Sequence, residues 1–190
     1  MNKLFIILFF LLNATKLFAQ EQYGLESNDY YKEGLTGVCL SKSTENEKSY
    51  KCGYKNAKGK FVIPPIYSLI LGGNDDLWYL NSFNNGFVIV NKCLTTVNKS
   101  LTTCYNLGVI DNKNKIIIPF GKYDFIRYGL EKQFVVTHEN GKESVIDYTG
   151  KIIVPQFDKI YVFDNQYTAV IEGEIHETKY NEKGEILKEN

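Results

Sequence analysis

GVIDNKNKIIIP, residues 108–119, is the stretch whose reading decides the fold, because the chain writes it four times. Residues 53–64 read GYKNAKGKFVIP, residues 144–155 read SVIDYTGKIIVP, and residues 178–189 read TKYNEKGEILKE. The first half of each copy predicts a short strand ending in Asn56, Asp111, Asp147 or Asn181. Polar residues follow, then Gly59, Asn114, Gly150 or Gly184. These residue types accept the left-handed backbone of a tight reversal, and an Asx side chain bonds backbone groups inside such a turn. A β-branched run follows in the first three copies, at residues 61–63, 116–118 and 152–154. Short apolar runs bounded by turn signals read as strands. Pro64, Pro119 and Pro155 close those runs, since proline lacks the N–H that a central strand donates. Each copy is therefore expected to be a β-hairpin with a fixed stop. The run Ile116-Ile117-Ile118 shows no polar alternation, which predicts burial on both sides.

The similarity extends outward. After the proline come an aromatic, a polar residue and then an aliphatic, as in Tyr67-Ser68-Leu69-Ile70, Tyr123-Asp124-Phe125-Ile126 and Phe157-Asp158-Lys159-Ile160. Before each copy lies a further strand, at residues 35–39, 87–90, 134–137 and 168–171. The anchor residues Gly53, Gly108, Ser144 and Thr178 are spaced by 55, 36 and 34. Periods of this size mark repeat arrays, whose units bury a face only by stacking on neighbours. The expected fold is all-β: about four antiparallel hairpin or meander repeats of roughly three strands, stacked as a curved or superhelical array. A closed barrel or propeller-like arrangement is the alternative.

The pattern resembles the WG-repeat (KWG) family. Glu33-Gly34-Leu35, Gly53-Tyr54, Gly59-Lys60, Pro64-Pro65 and Tyr67 carry the resemblance in the first repeat. Gly108 to Asp111, Lys115 and Pro119 carry it in the second, and Val145-Ile146-Asp147, Gly150-Lys151 and Pro155 in the third. No tryptophan precedes the anchor; Cys52, Leu107, Glu143 and Glu177 stand there, and the sole tryptophan, Trp78, lies in an insertion between repeats. The resemblance implies the fold and a binding role, and brings no catalytic residue with it.

Residues 1–19 read as a signal peptide: Lys3, an unbroken apolar run from Leu4 to Leu12, and Leu17-Phe18-Ala19 before Gln20. That run is too short to span a bilayer stably, and no later run is long enough, so no integral span is expected after cleavage. Periplasmic or secreted localisation follows. Residues 20–30 are polar and read as a disordered lead-in, leaving 31–190 as the repeat domain. The formal net charge is zero, and Arg127 is the sole arginine. Nucleic acid is excluded as a partner on this reading, because phosphate binding needs clustered Lys and Arg.

Four cysteines in an exported chain predict disulfides, with three connectivities open. Cys39 and Cys52 flank one hairpin-like stretch, and Cys93 and Cys104 flank another that is nearly symmetric about its polar tip. Two local bridges are therefore expected, each contributing roughly 2–3 kcal/mol in the chain-entropy model. Closely paired cysteines of a zinc site are absent, as is the alternating acidic loop of a calcium site at Asp75-Asp76. Asp75 is expected to cap a helical turn carrying Trp78. His138 and His176 read as solvated hairpin residues, and Asp111 and Asp147 as turn acceptors. No nucleophile elbow, Walker loop or dinucleotide fingerprint occurs. No cofactor is expected.

The reading that follows is an exported, non-enzymatic binding module for a protein or a glycan. Tyr67, Trp78, Tyr123 and Phe157 are its candidate contact residues, with core packing as their competing role. A structural envelope protein without a specific ligand, or a hydrolase, are the alternatives. Non-reducing peptide mapping checks the bridges: Cys93 is expected joined to Cys104 and Cys39 to Cys52, and peptides linking one hairpin to the other would overturn the hairpin registers.

Overall fold

The computed structural model describes residues 22–23, 32–44, 47–71, 78–92, 106–173 and 177–188. The leader, Asp75-Asp76, Cys93, Cys104, His176 and all of the lead-in except Gln22–Tyr23 lie outside the described residues. The first sheet runs in the order β1 (Gln22–Tyr23), β2 (Leu35–Thr44), β3 (Glu47–Asn56), β4 (Phe61–Tyr67). A two-stranded ribbon pairs β5 (Ile70–Leu71) with β6 (Trp78–Tyr79). Trp78 thus sits in a strand and not in the expected helical turn, because its backbone pairs with Leu71. The second sheet is β7 (Phe87–Asn91), β8 (Leu107–Asp111), β9 (Ile116–Ile118). The third is β10 (Phe125–Tyr128), β11 (Gln133–Thr137), β12 (Glu143–Asp147), β13 (Ile152–Phe157). The fourth is β14 (Lys159–Phe163), β15 (Gln166–Val170), β16 (Thr178–Tyr180). Every pairing is antiparallel between neighbours in sequence, and no sheet among the described residues closes into a barrel.

One turn recurs in all four repeats. The amide of Asn56, Asp111, Asp147 or Asn181 donates to the carbonyl four residues on, and the amide three residues on donates back. The Asx oxygen accepts two more amides, those of Lys58 and Lys60, Lys113 and Lys115, Thr149 and Lys151, or Lys183 and Glu185. Gly59, Asn114, Gly150 and Gly184 all have φ between 64° and 87°. The Asx residue satisfies amides that the reversal would otherwise leave unpaired, and the left-handed residue closes it.

A bulge recurs with the turn. Tyr54 pairs with Ile63 and Lys55 with Phe61; Val109 pairs with Ile118 and Ile110 with Ile116; Val145 pairs with Val154 and Ile146 with Ile152. Each time the third strand carries one extra residue at the same place. This corrects the expectation for residues 116–118. Ile118 is 2% exposed and Ile117, the extra residue, is half-buried against the same core, but Ile116, at the start of the edge strand opposite Ile110, is 51% exposed.

The two-sided burial lies in the first two strands of the inner repeats. Val88, Val90 and Ile110 pack on Tyr54, Ile63 and Tyr67 of the first repeat. Ile89, Val109 and Ile118, from the opposite face of that sheet, pack with Phe134, Val136 and Ile146 of the third. Val135, Val145 and Val154 in turn face Ile160, Tyr167 and Tyr180 of the fourth. The cores therefore lie between repeats, as alternation along each strand requires. Junctions are equally regular: the amides of Ser68, Asp124 and Asp158 donate to the carbonyls of Asn91, Thr137 and Val170. At the ends the pattern changes. The equivalents of Val88 and Ile110 in the first repeat are Thr36 and Lys55, and the equivalents of Val135 and Val145 in the fourth are Thr168 and Lys179. Polar residues thus replace apolar ones on both outermost faces, as terminal repeats require.

Ile118→Ala should cost about 2–5 kcal/mol in urea melts. Ile116→Ala should stay within about 0.5 kcal/mol of the parent. Equal losses would mean that the bulge does not separate the two side chains.

Candidate interaction site

The aromatic candidates are placed by the framework. Tyr67 is buried, stacks on Phe120 and donates from its hydroxyl to Asn114 Oδ1 at 2.6 Å, tying the first repeat to the turn of the second. Tyr123 is buried and meets the His138 ring edge-on at 5.3 Å. Phe157 is half-buried against Tyr180 in the last inter-repeat core. For Trp78 only the backbone, in β6, is described. The structure does not bring these four together on one open face: three of the rings spend their surface on neighbouring repeats.

The carboxylates and histidine are also engaged. Asp111 and Asp147 accept amides within their turns, as expected. Burial pushes the Asp147 carboxyl up, but the Thr149 hydroxyl and the turn amides hold it below its ordinary value. His138 is more than a solvated turn residue. Its Nε2 lies 2.8 Å from Ser144 Oγ, at the rim of an open hollow of about 340 Å³ lined by Lys122, His138, Glu139 and Asn140. Ser144 is fully buried, so its hydroxyl cannot meet a substrate in that hollow, and the pair acts as a structural tie. No group of three or more His, Cys, Asp or Glu suited to a metal ion occurs among the described residues. None of their helices is long and apolar enough to cross a membrane.

The residue before each anchor has a distinct job. In the first repeat Cys52 is joined to Cys39, its cross-strand partner on β2, under Leu69. In the second, Leu107 joins the core shared with the third repeat. In the third, Glu143 is 3% exposed and holds three donors: Lys159 Nζ at 2.8 Å, Arg127 Nη2 at 2.9 Å and the Ile160 amide at 2.8 Å. Arg127 also donates to the Ile160 carbonyl. Burial alone raises the Glu143 carboxyl; the bonds from Lys159 and Ile160 and the guanidinium of Arg127 outweigh it and leave the group below its ordinary value. Sequence reading missed this network, since its donors come from two other strands, β10 and β14; a carboxylate where the first two copies have Cys and Leu was its only trace.

What the repeats turn outward is an aliphatic residue directly after the turn. Ile116, Ile152 and Ile186 are equivalent and are 51%, 58% and 66% exposed. Phe61 takes the place in the first repeat, half-buried beneath the Lys55 ammonium at 4.6 Å. Lys60, Lys115 and Lys151 precede the first three of these positions, and Glu185 the last. Phe61, Ile116 and Ile152 lie on the strand that ends their sheet, Ile186 bridges the last strand of the fourth at Tyr180, and Pro64, Pro119 and Pro155 interrupt the donors of that edge. The candidate site is therefore an edge that offers side chains in place of backbone. Its signal was present in the period of the sequence, but exposure could not be read without the bulge.

The family model described as WG containing repeat matches residues 53–72, 108–132 and 144–174. The chain carries WG-containing repeats. Each match starts on the anchor of a copy, at Gly53, Gly108 and Ser144. The fourth copy lies outside the matched residues, yet Asn181 and Gly184 form the same turn, and Tyr180 bridges Ile186 as Ile110 pairs with Ile116. No curated protein matches the chain. Where the name of the repeat calls for tryptophan, this chain uses a disulfide, an aliphatic side chain and a buried ion network.

Glu143→Gln should lower stability at about pH 7 by roughly 1–3 kcal/mol. The folded carboxyl is depressed, so its contribution is complete above the unfolded value of about 4.3 and is lost as pH falls through the lower folded value. Urea melts of parent and variant should therefore converge on acidification. A gap that persists at about pH 2 would remove the ion network as its cause.

Proposed function

We propose that this chain is an exported, non-enzymatic interaction module that recognises a protein or a glycan along the edge of its WG-containing repeats. The observation that carries the reading is the recurrence of an exposed aliphatic at one position, Ile116, Ile152 and Ile186, which no inter-repeat core requires. Exposed apolar groups placed in register mark interaction surfaces. Lysine beside the first two of these adds charge for orientation at little cost in solubility. Export rests on the leader at residues 1–19, and the disulfide between Cys39 and Cys52 accords with an oxidising compartment.

The test uses the protein from its native host. N-terminal sequencing should begin at or within a few residues of Gln20. Envelope extract passed over the immobilised protein should yield a partner that the triple variant Ile116→Asp, Ile152→Asp, Ile186→Asp no longer retains, with an unchanged melting curve. A retained Met1 would overturn export. Equal capture by the folded triple variant would overturn the edge as the site.

A further inference from the structure

We propose that the array associates head to tail with a second copy of this chain, the outer face of the fourth repeat seating on the outer face of the first. Three independent observations converge on this contact.

The first is charge. Residues 35–67, which form the first repeat, carry six lysines against two glutamates. Residues 158–190, which form the fourth, carry eight acidic residues against four lysines. The chain has no net charge as a whole, so this is separation along the array and not general excess. Opposite charge at the two ends favours joining unlike ends and disfavours joining like ones.

The second is surface. On β4, Ile63 and Tyr67 face the second repeat, while Pro64 and Ile66 between them point the other way and are exposed. Lys51 and Lys55 stand beside them on β3, opposite the buried Cys52 and Tyr54. At the far end Ile160 and Val162 pack inward, leaving Tyr161 and Phe163 on the outer face, with Phe163 69% exposed. In the inner repeats these faces are covered by a neighbouring sheet, and a second copy would supply one.

The third is a preformed acceptor. Glu143 stands on the outward side of the third repeat and takes Lys159 Nζ and the Ile160 amide from the fourth. Glu177 occupies the same position one repeat later and is exposed. The equivalence puts it on the outer face of the fourth repeat, where a lysine of the partner's first repeat would meet it. Lys179 and Thr168 on the same face keep it from being apolar. The contact is therefore weak and salt-sensitive, and since unlike faces meet it is heterologous and open-ended.

Sedimentation velocity over a concentration series tests this. At low salt the protein should form species that grow with concentration; at about 1 M salt, where screening acts within roughly 3 Å, it should return to monomer. A head variant, Lys51→Glu with Lys55→Glu, and a tail variant, Glu177→Lys with Phe163→Lys, should each remain monomeric. Mixed, they should associate again, because each carries one intact face complementary to the other's. If the head variant melts early, Lys51→Glu with Lys58→Glu, both exposed, replaces it. Monomer at every concentration of the parent would overturn the proposal. So would oligomers of either folded variant alone, which would indicate a like-to-like contact, or a mixture that stays monomeric. These variants leave Ile116, Ile152 and Ile186 intact, so the outcome is separate from that of the edge.

Discussion

Everything in this molecule depends on stacking between sheets that have no core of their own. A lone hairpin is at best marginal in water, and a repeat unit gains its stability from the neighbours it stacks on. Here each inner sheet sends alternate side chains to two different neighbours, Val88 to one side and Ile89 to the other. Spacing between sheets must then be constant, and the constant parts of the chain are those that set it. The five-residue Asx turn is one. Gly184 shows why: a Cβ there would come within 2.2 Å of the Ile153 carbonyl, so the turn of the fourth repeat lies directly on the third strand of the repeat before it. Its φ of 80° makes the same demand independently.

The position before the anchor shows how loosely chemistry is specified once geometry is. Cys52, Leu107 and Glu143 are all buried, and each fastens the fold in a different way. The disulfide acts within one sheet and restrains its long first hairpin. Leu107 contributes apolar burial. Glu143 alone makes a polar interface with its successor, and it employs the only arginine in the chain for the purpose. The buried carboxylate is tolerated because both of its oxygens are met, by two cationic side chains and a backbone amide. Tyr167 shows the same discipline in the same interface. Burial pushes its hydroxyl up to about 12, and it accepts the Leu130 amide and donates to Gln133.

The turns were fully legible in the sequence, because Asx and Gly preferences act within five residues and need no tertiary partner. Repeat number, strand order and the bridge from Cys39 to Cys52 were legible for a related reason: each follows from a local hairpin. The bulge was not legible. Three consecutive isoleucines look the same whether or not one of them is turned out, and only pairing with Val109 and Ile110 decides it. Tyr67, Tyr123 and Phe157 illustrate a second limit. Their repetition marked them as important without saying whether a partner or the next repeat covers them, and the rings are covered by the next repeat.

The exposed isoleucines acquire their meaning by contrast with those rings. Strand propensity alone would be satisfied at Ile116, Ile152 and Ile186 by threonine, which is β-branched and harmless in water. Packing does not demand isoleucine either, since the side chains lie outside the inter-repeat cores. Adjacent positions in the same turns vary freely, from Asn112 to Tyr148 to Glu182. A residue that stays apolar at equivalent places, where neither local conformation nor burial asks for it, is best explained by something outside the chain. The edge is also the one place where a repeat can present such residues without disturbing the stack, because both faces of each inner sheet are already committed to its neighbours.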